Sequence, residues 1–447
     1  TFHAYEHSRR DNGFMMHRNV VFRNERVPEL PISWVETNLL EELWQGLAAQ
    51  CNDAGGRCEA LAIPHNMNLS GGMAFRLPYK MAGEQVRADY AALRRRFEPI
   101  VEMMQAKGES ECRNGFPGVV GGPDEWCDFE KMLPLTGENA TPVCPDGTLP
   151  GVFDSCVGPL GYARYALAEG LAERGAIGIN PLEVGFIGST DTHNGIPGAV
   201  QEANYEGHTG RATSTPARRL EEVGQKGKSL SRNPGGLAGI WAQDNSRDAL
   251  FDAMQRRETF GTSGPRIEPR FFAAQEFPVD ICQGDDLVAT GYAEGVPMGG
   301  AIAATPQSPH FVVQARRDPG SEQYPGNDLE RLQVVKVWSE GEGSYGQAVY
   351  DVSQATYDGP AVDPATCEPL VRGAAQLCAN WRDPDYDPRQ AAAYYVRVLE
   401  MPSCRWSQRE CLDFPVDNRP ASCADPALSK VIQERAWTSP VWVLPGN

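Results

Sequence analysis

The chain has only seven histidines in 447 residues, and several of its metal-ligand side chains follow apolar, strand-like runs. Glu6 stands in TFHAYEHS, His17 in MMHRNVVF, His65 after LAIP, and Asp191 with His193 in FIGSTDTHNG. Carboxylates and imidazoles in this mixture are the oxygen and nitrogen donors that zinc, manganese or iron accepts. Asp191 and His193, at i and i+2, point to one side of an extended segment and so suit a shared cation. Each residue alone also has a plainer reading: His65 as a buried imidazole satisfied by a carbonyl, Asp191 and His193 as hydrogen-bonded loop residues. Together, Glu6, His17, His65, Asp191 and His193 form a candidate divalent-metal site, with Asp191 and His193 carrying the catalytic role. Lys107 and Glu111, in QAKGESE at a strand end, are candidates for holding an anionic substrate, a solvated turn being the alternative.

Elements that could position these groups alternate up to about Phe272. Helical periodicity runs over 38–50, with Thr37 as the expected N-cap, and again over 84–97 and 160–174. A further helix over 246–259 is opened by Ser246 with Asp248 in its first turn. Strand-like runs (58–63, IVEMMQAKG, EVGFIGS) lie between the helices. Such alternation implies a mostly parallel sheet with ligands beyond the carboxyl ends of its strands, where His65, Asp191 and His193 stand. Two long insertions interrupt the pattern, 109–157 with four cysteines and 199–235 with Tyr205, His208 and Arg232. Loops of that length are lids or disordered segments; the second is expected to cover part of the cleft. Beyond Ala274 the period changes to two, as in HFVVQARR and AAYYVRVLEM, which predicts a β-rich, sandwich-like domain over 274–447 packed on a first domain over 1–273.

A formal net charge of -18 argues against a nucleic-acid partner, because phosphate-backbone affinity rests on clustered cations. No apolar run reaches the roughly 20 residues of a membrane helix. The 12 cysteines include no CxxC pair, which favours disulfides of a periplasmic or secreted protein over zinc ribbons. Cys51–Cys58, Cys112–Cys127, Cys144–Cys156 and Cys367–Cys378 are the neighbouring candidates, the first and last being the firmest. GGLAG at 235–239 lacks the lysine of a phosphate loop, and Asn68 and Asn139 head sequon-like triplets.

IPHN, GSTDTHNG, GGLAGIWAQDNSRDALFDAMQRRETFGTSGPRI and QERAWTSPVW together resemble an exported bacterial family of unknown function, DUF3604, related to the PHP (polymerase and histidinol phosphatase) superfamily of metal-dependent hydrolases. The similarity covers essentially the whole chain. It implies an α/β fold, a distorted (β/α)7 barrel holding two or three divalent metals on its C-terminal face. The superfamily's motifs run HxH, Asp-His, a glutamate, two separated histidines and DxH. Glu6, His17, His65, Asp191 and His193 match the last five positions in order. The opening motifs have no counterpart, since His3 and His7 form no HxH, so the N-terminal part of the barrel is expected in an upstream segment of the same polypeptide that supplies further ligands. A site with fewer metals is the alternative. The implied function is a phosphoesterase acting on a small anionic ester; a non-catalytic exported metal-containing binding protein is the reading from a different class.

Overall fold

The computed structural model describes residues 1–11, 13–55, 58–133, 140–144, 156–221, 229–426 and 428–446; Asn139 and parts of both long insertions lie outside them. The fold is mixed α/β. Two small sheets form first. His3–His7, Arg18–Phe22 and Ala60–Pro64 pair antiparallel, with Glu6 opposite Asn19 and Arg18 opposite Pro64. Ile100–Gln105 pairs parallel with Gly185–Gly188 and antiparallel with Gly108–Glu109.

Strand alternation sends Ala60 and Ala62 into a core with Val20, Phe22 and Trp44, while Leu61 and Ile63 pack on Ile100, Ile187 and Phe251, as a period of two requires. The helices Leu40–Leu47, Glu84–Phe97 and Ala163–Ile177 cover the first face and Arg247–Gln255 the second. Ser246 caps the last of these by accepting from the Ala249 amide at 3.2 Å. Thr37 does not cap Leu40–Leu47: its hydroxyl is hydrogen-bonded to His7 Nε2 at 3.0 Å, and the Leu39 amide is taken by the Glu42 carboxylate at 3.2 Å.

Two expectations about the sheet are corrected. Pairing is mostly antiparallel, because the link from His7 to Arg18 holds only a short ribbon, Arg10–Asp11 with Phe14–Met15, and so short a connection returns the chain antiparallel. No closed barrel forms among the described residues. Ala60–Pro64 and Ile100–Gln105 meet through side-chain packing and through Gln105 donating to the His65 carbonyl, without a backbone ladder.

The largest sheet runs through Thr259–Thr262, Arg435–Thr438, Ala392–Glu400, Leu329–Ser339 and Tyr345–Gln354, all antiparallel. It crosses the boundary expected at Ala274, since Phe260 pairs with Thr438. Tyr394, Val396 and Val398 face Phe271, Phe311 and Val313 of a second sheet built on Glu268–Ala274, His310–Arg316 and Gln376–Arg382, and the alternate residues Ala393 and Tyr395 face Ala163–Ile177. Two sheets sharing an inner layer of side chains make the sandwich that period-two patterning predicts.

All 12 cysteines are paired. Cys51–Cys58, Cys112–Cys127 and Cys144–Cys156 are as expected, and Cys411–Cys423 joins them. The expected Cys367–Cys378 bridge is replaced by Cys282–Cys378 and Cys367–Cys404. Cys378 lies on Gln376–Arg382, in the cluster of Phe272 and Ile281, so the strand carries it away from its neighbour in sequence.

Candidate metal centre

Four strands, His3–His7, Ala60–Pro64, Ile100–Gln105 and Gly185–Gly188, end at one rim, where Arg18–Phe22 begins. The rim gathers Glu6, His17 and His65, whose ligand atoms all lie within 4.8 Å of one another. Glu6 Oε1 is 2.6 Å from His17 Nδ1 and 3.5 Å from His65 Nε2. His65 Nδ1 is 3.4 Å from the Ile63 carbonyl, a contact that fixes the ring and leaves Nε2 aimed at Glu6. Hydrogen bonds from His17 and then His65 hold the Glu6 carboxyl far below the usual carboxylate range against partial burial. The His65 imidazole is raised: burial alone would lower it, and the hydrogen bond with Glu6 together with the charges of Glu102 and Asp191 outweighs burial.

Asp191 and His193 stand apart from this trio. Asp191 has a left-handed backbone, φ +46°, and its carboxylate is ion-paired with Lys107 Nζ. His193 is turned outward, its Nδ1 2.9 Å from the Asp191 carbonyl and its ring 4.5 Å from that of His208. The i, i+2 rule fails because it assumes extended backbone, and the left-handed turn at Asp191 rotates the two side chains apart. Gly235 supports this turn: its φ is +90°, and a Cβ there would lie 2.7 Å from Thr190 Cα.

Lys107 is at the rim, where it pairs with Asp191. Glu111 is not. It is fully buried and accepts from Arg164 Nη2 at 2.5 Å, Tyr395 Oη at 2.6 Å, Trp437 Nε1 at 2.7 Å and Arg397 Nη1 at 3.1 Å. The chain after Gly108 turns inward beneath the main sheet, so a residue four positions beyond Lys107 reaches the core. Asn245 and Arg247 are exposed at the start of Arg247–Gln255.

The family model for DUF3604, described as a protein of unknown function, matches residues 1–445. The chain belongs to the DUF3604 family. No curated protein and no solved structure matches it.

Several residues that sequence reading left without a role join the rim of this DUF3604 chain. Glu102 is 2% exposed, accepts from Ser189 Oγ, and keeps Oε1 without a partner. Burial raises its carboxyl to about 7, more than His65 and Ser189 lower it. An acid inside the apolar run IVEMM was the visible signal. His208, Arg232 and Asn66 add unpartnered buried nitrogens or oxygens. Burial, then the charges of Arg232, Lys107 and His193, lowers the His208 imidazole to about 3 and keeps it neutral at neutral pH. The loop bearing His208 lies against His193, whose amide donates to the His208 carbonyl at 2.7 Å.

Proposed function

We propose that this DUF3604 protein is an exported, metal-dependent hydrolase of small anionic esters, of the phosphoester class. The observation that carries the reading is the convergence of Glu6, His17 and His65 from three strands onto one point. One carboxylate and two imidazoles fit a divalent cation of the zinc, manganese or iron kind, and the buried His17 Nε2 lacks a partner of its own. A cation held there would supply Lewis-acid polarisation of an ester oxygen and a lowered pKa for water.

The chain's own groups supply the remainder. Lys107 Nζ exchanges Asp191 for a non-bridging substrate oxygen, and the unpartnered Nη1 of Arg232 is a second donor for that anion. Asp191, released by the exchange, accepts the proton of the attacking water. Glu102, with a carboxyl at about 7, holds a proton near neutral pH and exchanges it at Oε1. The His193–His208 loop screens the rim from bulk water. The PHP resemblance supports the word phosphoester and the reading of this rim of strand ends as metal-bearing; twelve paired cysteines support export. Among the described residues no helix is long and apolar enough to cross a membrane.

The test is hydrolysis of p-nitrophenyl phosphate and bis-p-nitrophenyl phosphate by chelated protein given manganese or zinc. Metal should restore turnover in the wild type and not in His65→Ala. Stoichiometric metal binding with no turnover would instead support the binding-protein reading, and full turnover in His65→Ala would remove the site.

A further inference from the structure

A cavity of about 420 Å³ opens between the start of the second insertion, the segment after Thr262 and the end of Ala392–Glu400, and it shares no lining residue with the metal centre. Its size lies within the range of small-molecule sites. Val200, Pro265, Tyr324 and Pro402 give it apolar walls, Glu202, Glu400 and Glu434 give it acidic groups with Asp318 beside them, and its cations are Arg409 and the exposed Arg266 and Arg372.

Glu400 closes a strand whose other residues are buried, is 2% exposed, and has a carboxylate Oε1 without any partner. Glu434 is its neighbour across the backbone, the Glu400 amide donating to the Glu434 carbonyl at 2.9 Å, and is 4% exposed with one bond, from Ser263 Oγ. Glu202 accepts from the Trp406 amide and leaves Oε1 buried and unpartnered. Among the described residues no ion pair reaches any of the three. Arg405 is committed to Glu130 at 2.7 Å, and Arg409 donates to the Cys404 carbonyl at 3.1 Å.

Carboxylates buried without partners cost several kcal/mol and ordinarily find a cation or a proton. Burial, then the charges of Asp318 and Asp328, raises Glu400 well above the carboxylate range, and burial, then the charge of Glu202, raises Glu434 likewise, so both favour the protonated form while the cavity is empty. A single metal ion does not fit, because the three carboxylates do not gather their oxygens within 4.8 Å as Glu6, His17 and His65 do.

We propose that the cavity binds a small organic dication, an alkyl diamine of a few carbons, with its ammonium groups on Glu400 and Glu202 and its spine along Pro265 and Tyr324. Binding replaces protons by the ligand's charge, so it releases protons and tightens as pH rises.

Calorimetric titration with 1,4-diaminobutane at pH 7.5, in two buffers of different ionisation enthalpy and at fixed ionic strength, tests this. Saturable binding is expected, with a heat that depends on the buffer. It should weaken at least tenfold in Glu400→Gln, which keeps the shape and removes only charge, and likewise in Glu202→Gln if the first variant does not fold. The proposal is overturned if the diamine gives no saturable heat beyond a sodium chloride control. Equal binding by wild type and variants overturns it too, as does binding of calcium chloride where the diamine is silent.

Discussion

Replacing Glu111 by alanine should remove about 3 to 5 kcal/mol of stability, the usual cost of breaking a buried charge network from one side, and leave metal binding untouched. The carboxylate lies in the core between Arg164 and Arg397, all three with side chains 0% exposed. Without it, Asp124 is the carboxylate left to both guanidiniums, at 2.8 and 2.9 Å, beside the neutral acceptors Tyr395 and Gln347 for Arg164 and Gln333 for Arg397, and Tyr395 and Trp437 lose their acceptor. Glu111→Gln should cost less, because an amide still accepts from the phenol and the indole. Burial, the largest influence, raises the Glu111 carboxyl, and the charges of Arg397 and Arg164 outweigh it and leave it below its ordinary 4.5. A depressed acid contributes stability above its unfolded pKa and loses it as pH falls. The cost of the alanine variant is therefore full at pH 7 and shrinks below about pH 4.5. Urea denaturation followed by tryptophan fluorescence, with Trp437 as a reporter in direct contact, measures it. A loss under about 1 kcal/mol, or loss of bound metal with the fold intact, would refute this account and return Glu111 to the pocket.

Glu102 has the opposite sign. A carboxyl raised from 4.5 to about 7 withholds stability as pH rises through that window, so in chelated protein Glu102→Gln should stabilise by up to about 3 kcal/mol at pH 8 and hardly at all at pH 4.5; urea midpoints that move equally at both pH values would contradict it. Removing Cys282–Cys378, which spans 96 residues, should cost about 4 to 5 kcal/mol against roughly 2 for the seven-residue span of Cys51–Cys58, and thermal unfolding that reverses this ranking would count against the loop-entropy argument. Lys107→Ala should lower kcat/KM for a phosphomonoester at least tenfold with metal content unchanged, whereas parallel loss of metal would make Lys107 a structural partner of Asp191.

Elements were legible where local pattern decides them. Tyr394, Val396 and Val398 alternate with Ala393 and Tyr395 because each set fills a different layer, and Ser246 announces a helix that its hydroxyl caps. Topology was less legible. Helix between strands reads as a parallel crossover, yet the short ribbon after His7 and the packing of Leu61 and Ile63 on Ile100 are set by contacts distant in sequence. At the site, Glu6, His17 and His65 were readable because strand ends converge in any layered sheet. Asp191 and His193 diverge because one left-handed residue changes the direction of both side chains. Glu111 misled because its four donors come from three distant segments. Cys378 misled because a strand placed it beside Cys282.

Anomalous diffraction from crystals grown with manganese or zinc, recorded on both sides of the metal's absorption edge, tests the central claim most directly. The account predicts a peak bounded by Glu6 Oε1, a ring nitrogen of His17 and His65 Nε2, absent in Glu6→Gln with His65→Ala. A protein saturated with metal that shows no peak there, or one whose only peak lies away from these three side chains, would contradict it.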